Sequence, residues 1–192
     1  MGVTKGWPVE VAHAAVEAGL AMLGESRVQE AEPKVAAIPE AEWHLVGRLQ
    51  SNKARRAARA FAVIHSVDSS ALLERLAGLA RDDEGRPQLL LQVNVTGERA
   101  KAGMASDELL AIGPRLGTAP VIGLMTIGRL DATAEEARAT FRSLRELRDR
   151  LEQASGIGLA ELSMGMSADA EAAAAEGATM VRIGTALFGP RA

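Results

Sequence analysis

The chain contains no cysteine and no tyrosine, and aromatic residues make up only 3% of its 192 positions. Without cysteine there is no disulfide framework, no thiolate metal site and no cysteine nucleophile, a composition suited to a reducing compartment such as the cytoplasm. Without tyrosine no mechanism can use a phenol as acid or base. So few aromatics leave little on which single-stranded bases could stack. A basic excess is missing too. Lys plus Arg number 22 against 25 Asp plus Glu, for a net charge of -3, which is not the electrostatic footprint of a dedicated nucleic-acid binder. The start, Met1-Gly2-Val3-Thr4-Lys5, lacks the apolar stretch of a signal peptide. No uninterrupted apolar run approaches a membrane span. These absences predict a cytoplasmic protein with neither nucleic acid nor membrane as partner. Length is in short supply as well. A (β/α)8 barrel typically needs about 250 residues, with about 200 at the low end.

What is present is enough apolar material for a core, 47% hydrophobic against 24% charged. Short apolar or β-branched runs alternate with stretches of helical periodicity. Val3 and Thr4 read as the end of a first strand. Pro8 suits the first turn of a helix, where its missing N–H has no partner to lose. That helix runs to about Ala18 and stops at Gly19. Residues 20–23 read as a second strand, and Ser26-Arg27-Val28-Gln29 as a capping box opening a second helix. Strands follow at 44–46 and 62–65, a basic helix begins at Ser51, and an Ala/Leu-rich helix ends near Asp82.

After a turn at 83–87, the run Leu89-Leu90-Leu91 opens the clearest strand, 89–95, apolar enough to be buried on both faces. A helix over about 107–116 leads to a sixth strand at 121–124. Thr133-Ala134-Glu135-Glu136 is another capping box, and Ala137, Phe141, Leu144 and Leu151 mark one face of a long helix. Strands at 159–162 and 180–183 flank an alanine-rich helix. Strict alternation predicts an α/β protein with a parallel sheet, as a single domain over residues 1–192. Eight units suggest a closed barrel. An open doubly wound sheet gives the same pattern, and periodicity alone does not choose between them.

In a barrel the chemistry sits at the C-terminal ends of the strands. The first strand ends at Lys5, which reads either as a solvated lysine or as an amine able to form a Schiff base. After the seventh strand comes Ser163-Met164-Gly165-Met166-Ser167-Ala168-Asp169, and after the eighth Gly184-Thr185-Ala186-Leu187-Phe188-Gly189. Both are small-residue turns opening a helix, and free N–H groups at a helix start bind phosphate. Ser167 and Asp169 also fit plain helix caps. Arg182, on the last strand, points either to the ligand or to solvent. A lysine, a phosphate cup and an arginine in these places suggest pyridoxal phosphate. His44 and His65 fall on adjacent strands, but no third ligand has recognisable spacing. They read as packed or hydrogen-bonded histidines, and no metal is expected. Trp7 and Trp43 read as structural or rim residues. Arg48, Lys53, Arg55, Arg56 and Arg59 read as a solvated helix face or a rim that captures a phosphorylated ligand.

At these residues the chain resembles the pyridoxal phosphate homeostasis protein family (the YggS/PROSC family), which is similar to the barrel domain of alanine racemase standing alone. The stretches that carry the resemblance run in order through the whole chain. They include Thr4-Lys5, Gly24-Glu25-Ser26-Arg27-Val28-Gln29-Glu30, Trp43 to Lys53, Ile64-His65-Ser66-Val67-Asp68 and Gln92-Val93-Asn94-Val95. Gly97-Glu98 with Lys101 and Gly103, Gly123-Leu124-Met125-Thr126, Ser163 to Ser167 with Asp169, and Val181-Arg182-Ile183-Gly184-Thr185 complete them.

The resemblance implies a (β/α)8 TIM barrel of the alanine racemase N-terminal type that binds pyridoxal 5'-phosphate (PLP). Lys5 is similar to the Schiff-base lysine. Ser167, with the backbone of Gly184 and Thr185, is similar to the phosphate cup. Arg182 is similar to the arginine facing the pyridine nitrogen, where a second positive charge disfavours ring protonation. Asn94, Met125 and Ser163 join the implied cofactor-binding set, and Lys101 matches a family lysine near the site. Ser26 stands where the family carries Asn, which removes an amide's paired donor and acceptor. Only four residues precede Lys5, so the N-terminal helix and part of the first strand are expected to be missing, leaving an exposed lower edge.

The implied role is intracellular PLP homeostasis as a monomeric carrier or regulator, with PLP-dependent apo-enzymes as partners and no turnover. Alanine racemase takes a second base, a tyrosine, from another domain, and this chain has none. The alternatives are a low-activity PLP racemase or lyase that uses Lys5 alone, and, further off, a Schiff-base aldolase.

Overall fold

The alternating runs become eight strands in the computed structural model, which describes residues 1–82, 85–98 and 101–190. Asp83 and Glu84 of the expected turn lie outside the described residues. The strands are β1 (Gly2–Val3), β2 (Met22–Glu25), β3 (Glu42–Leu45), β4 (Val63–Val67), β5 (Gln88–Gln92), β6 (Val121–Met125), β7 (Glu161–Met166) and β8 (Met180–Arg182). Between and after them run α1 (Val9–Glu17), α2 (Val28–Ala37), α3 (Ala54–Ala60), α4 (Ser70–Arg81), α5 (Ser106–Ile112), α6 (Ala134–Ser155), α7 (Ala170–Ala175) and α8 (Thr185–Phe188). The sheet order is β1 to β8 in sequence, and every pair is parallel.

This is the barrel and not the doubly wound alternative, because β8 returns to β1. Gly2 bridges Ile183 in parallel. The Val3 N–H donates to the Ile183 carbonyl at 2.7 Å, and the Ile183 N–H donates to the Met1 carbonyl at 3.0 Å. On its other side β1 pairs Gly2 with Leu23 and Val3 with Gly24. The edge expected to be exposed at the first strand is therefore paired on both sides, by two residues.

Several local expectations hold for the reasons given. Thr133 accepts from the Glu136 N–H at 3.3 Å while Glu136 accepts from the Thr133 N–H at 2.8 Å, the reciprocal cap expected there. The helix behind it buries Ala137, Phe141, Leu144, Leu147 and Leu151 on one face and ends at Gly156 in the left-handed conformation, φ 70°. The capping box expected at 26–29 does not form. Arg27 is extended (φ -135°, ψ 129°), so α2 starts at Val28 with no side-chain cap. The Ser26 hydroxyl sits one residue too far back to reach the first free N–H groups.

The apolar residues divide into two sets. The larger lies between the strands' outward faces and the helices, with Leu23, Leu45, Ile64, Leu89, Leu124 and Phe141 at its centre. A smaller cluster of Val63, Leu90 and Met125 stands apart. Val63 shares its strand face with His65, whose contacts cross the barrel, so this cluster fills part of the interior. Outside, Glu176 at the end of α7 is 3% exposed and bonds Arg138, Arg142 and Arg145, all on α6. Among the described residues no helix is long and apolar enough to cross a membrane.

Phe141→Ala is expected to lower unfolding free energy by about 3–5 kcal/mol in urea titrations, the range for an emptied aromatic site. The Glu176 carboxyl is held below its usual range, first by its hydrogen bonds to Arg142 and Arg138. Its contribution to stability is therefore complete above the ordinary carboxylate range and is lost as pH falls through the lowered folded value. Glu176→Gln should lower the urea midpoint at neutral pH, and the two proteins should converge in acid.

Candidate functional site

Seven of the eight strands end on one cavity of about 530 Å³ at the C-terminal mouth of the barrel. That volume lies within the usual range of small-molecule sites, about 300–1,000 Å³. The structure brings Lys5, Ser26, Asn94, Ser167, Arg182, Gly184 and Thr185 to its wall, together with Lys101. It does not bring Met125 or Ser163 there. Met125 is fully buried against Val63 and Leu90. Ser163 is fully buried beneath Arg182, whose Nη1 donates to its hydroxyl at 2.7 Å.

Lys5 is the first residue beyond the buried Thr4, and a hidden ion pair fixes that position. Lys34, from α2, donates to the Thr4 carbonyl at 2.9 Å and to Glu25 Oε1 at 2.5 Å. The Thr4 hydroxyl donates to the same Glu25 oxygen at 2.8 Å. Glu25 is fully buried. The end of β1 is thus tied to the end of β2 by charged and neutral bonds together. Among the described residues the Lys5 amine itself has no hydrogen-bond or ion-pair partner, whereas Lys101 donates to Glu98 at 2.7 Å.

The neighbouring wall, across the β1–β8 seam, supplies donors. Thr185 opens α8, so its N–H has no carbonyl one turn earlier to meet. Ser167 accepts from the Ala186 N–H at 3.3 Å and so joins the loop after β7 to the start of α8. Asp169 accepts from the Met166 N–H at 2.6 Å and folds the loop back. Asn94 uses its amide to hold its own loop, donating to the Glu98 carbonyl at 2.8 Å. Gly47 sets the width of the mouth. A Cβ there would lie 2.1 Å from the Ser26 carbonyl oxygen.

Arg182 forms the floor. It is 6% exposed and donates to Ser163 and, at 2.8 Å, to the Thr126 carbonyl. Burial pushes its guanidinium down to about 10, against the pull of Asp169 in the other direction. Below it, His65 Nδ1 meets the Ser163 hydroxyl at 2.8 Å, and His65 Nε2 meets His44 Nδ1 at 2.8 Å. The two histidines expected on neighbouring strands are therefore hydrogen-bonded to each other. Among the described residues no group of three or more His, Asp or Glu side chains could hold a metal. Trp43 is buried and donates to the Ile38 carbonyl at 3.0 Å, and Trp7 packs on Phe188 with centroids 6.5 Å apart.

Sequence reasoning missed the Thr4–Glu25–Lys34 lock and the Arg182–Ser163–His65 contacts. The first has no motif, because Lys34 falls mid-helix. The second joins positions 98 residues apart. Lys34→Met would strand the Glu25 carboxylate, so unfolding free energy should drop by about 3–5 kcal/mol. Glu25→Gln combined with Lys34→Met should recover part of that loss in urea titrations.

Comparison with known proteins places this geometry. The alanine racemase N-terminal domain family matches residues 4–192. A pyridoxal phosphate homeostasis protein of Synechocystis is 41% identical over 197 residues, covering 100% of this chain and 90% of its own length. One from Aquifex aeolicus is 41% identical over 196 residues, covering 100% of this chain and 86% of its own. PipY of Synechococcus elongatus, solved with PLP bound, superposes with a TM-score of 0.93 at 44% identity, over 98% of this chain and 91% of that one. Alanine racemase from Clostridium difficile shares the fold, with a TM-score of 0.79 at 17% identity over 52% of its length. The chain belongs to the alanine racemase N-terminal domain family, and within it to the pyridoxal phosphate homeostasis proteins.

Proposed function

We propose that the chain binds PLP as a Schiff base on Lys5 and acts in intracellular PLP homeostasis as a carrier or regulator. One observation carries the reading. Lys5 shares a cavity with the phosphate-type donors of Ser167, Gly184 and Thr185, and its amine is unpaired among the described residues. Lys34 and Lys101 are engaged by Glu25 and Glu98. The donor set fits the cofactor: a hydroxyl and unpaired N–H groups for a phosphate, an amine for an aldehyde, and a buried guanidinium for the edge of a heteroaromatic ring. PLP, when bound, would supply an electrophilic aldehyde carbon, and the Lys5 amine is the group that would hold it.

The residues of this chain do the rest. Ser167 and the N–H groups of Gly184 and Thr185 receive the phosphate. Arg182 faces the pyridine nitrogen and disfavours a proton there, which weakens the ring as an electron sink. Ser26 and Asn94 line the sides, and Met125 and Ser163 support from below. Residues 1–192 act as one barrel unit, monomeric and cytoplasmic, that passes PLP to apo-enzymes. The PLP-bound relative PipY and the homeostasis-protein names of the other relatives support this reading. Turnover is no part of it, since the chain has no tyrosine to serve as the second base of a racemase.

Borohydride reduction of the PLP-loaded protein, followed by peptide mapping, should place the label on Lys5. Lys5→Ala should lose the label and the bound-cofactor absorbance. A label on Lys101, or retention of the absorbance in Lys5→Ala, would overturn the assignment. Amino acids incubated with the holoprotein in deuterated water should exchange at Cα no faster than with free PLP.

A further inference from the structure

The interior beneath Arg182 is a single file of polar groups whose hydrogens can all be placed. An arginine can only donate. Ser163 therefore accepts from Arg182 Nη1, and its one hydrogen has His65 Nδ1 as an acceptor at 2.8 Å, the direction that an ionised Glu42, able only to accept, imposes from the other end of the file. That makes His65 Nδ1 an acceptor and puts the ring hydrogen on Nε2. His65 Nε2 then donates to His44 Nδ1 at 2.8 Å, which in turn puts the His44 hydrogen on Nε2. His44 Nε2 donates to Glu42 Oε1, also at 2.8 Å. Glu42 is the first residue of β3, so its half-exposed carboxylate lies at the end of the barrel opposite the cavity.

We propose that Glu42, His44, His65 and Ser163 form a one-way hydrogen-bond relay that holds Arg182 in the cavity and couples it to the proton occupancy of Glu42 at the far mouth. The two histidines, Ser163 and Glu42 are positioning residues. They act on a ligand only through the guanidinium. A carboxylate at the far end locks the direction, because it can only accept. With one proton added at Glu42, the same contacts can form with every hydrogen reversed. Glu42 then donates to His44 Nε2, His44 Nδ1 to His65 Nε2, and His65 Nδ1 to Ser163. The Ser163 hydroxyl hydrogen turns away from His65, and Arg182 shares its acceptor with His65. No other proton enters or leaves.

The surroundings keep the file neutral. Burial lowers His65 well below the usual imidazole range, with His44 and Arg182 adding to the effect and the Met1 amine following. Burial also lowers His44, with Glu42 and Glu161 pulling the other way and the Met1 amine reinforcing the fall. Asp169 is the charge that faces Arg182 from the loop after β7.

Two measurements test the proposal. The first needs no cofactor. Histidine-labelled 15N NMR of the whole ligand-free chain at neutral pH should show neutral Nε2–H tautomers for His44 and His65, with half-exposed His13 as the internal reference. An Nδ1–H tautomer at either buried histidine overturns the relay. The second follows the absorbance of bound PLP against pH, and rests on the reading that Arg182 faces the ring. Wild type should show an acid-side spectral change that Glu42→Gln lacks, because a carboxamide can accept or donate at any pH. Matching profiles overturn the coupling. Arg182→Gln separates the two ideas. A spectrum unlike wild type places the guanidinium at the ligand, and an unchanged spectrum removes both that reading and the coupling to the ligand built on it.

Discussion

A parallel barrel exists only if its last strand finds its first, and here the first strand offers two residues. Everything at the cavity depends on that meeting. Lys5 follows β1, and Arg182, Gly184 and Thr185 lie on or just after β8, so the seam brings the amine and the anion-type donors to the same side of the mouth. The seam is narrow in backbone bonds, and the chain reinforces it with side chains. Lys34 and Glu25 hold the Thr4 backbone from the β2 side. Such a buried pair contributes little net stability relative to apolar packing, but it is strongly directional. Its value lies in placing one residue, the one that precedes Lys5.

The barrel separates the groups that keep it folded from those that face a ligand. The outer layer between strands and helices is mainly apolar, with the Lys34–Glu25 pair between α2 and β2 and the Glu176 clamp on its surface as charged exceptions. The interior of a barrel of this size is usually filled by layers of branched apolar side chains. Here Val63, Leu90 and Met125 supply such packing, and Glu42, His44, His65, Ser163 and Arg182 run beside them. A guanidinium without acceptors in that space would be strongly destabilising. The polar file meets that requirement while aiming the charge at the cavity.

Much of this was legible in the chain. The reciprocal cap at Thr133 and the buried face through Phe141 follow from local chemistry and helical period, so they stand as read. Strand limits were less legible. The seventh strand, expected at 159–162, occupies Glu161–Met166, because Ser163 and Gly165 look like turn residues. Gly165 in fact sits within the strand at φ 89°, where the register with β8 shifts between Ser163 and Met166. At the site, Lys5, Ser167 and Arg182 could be found because barrel geometry says that strand ends converge. What could not be found was any contact between strands remote in sequence. His65 to Ser163 spans the barrel, and nothing in either neighbourhood announces the other.

The hydrogen-bonded file has a consequence for how this chain can change over time. Its four interior members come from four different strands, and each has one partner on either side. Replacing one alone leaves a buried donor or acceptor unanswered, at about 1–3 kcal/mol for each group stranded. Exchanges that retain the file must therefore arrive in matched pairs, such as a new acceptor opposite a new donor. The positions of His44, His65, Ser163 and Arg182 are bound into one inherited unit, while the apolar residues around them are free to drift one at a time.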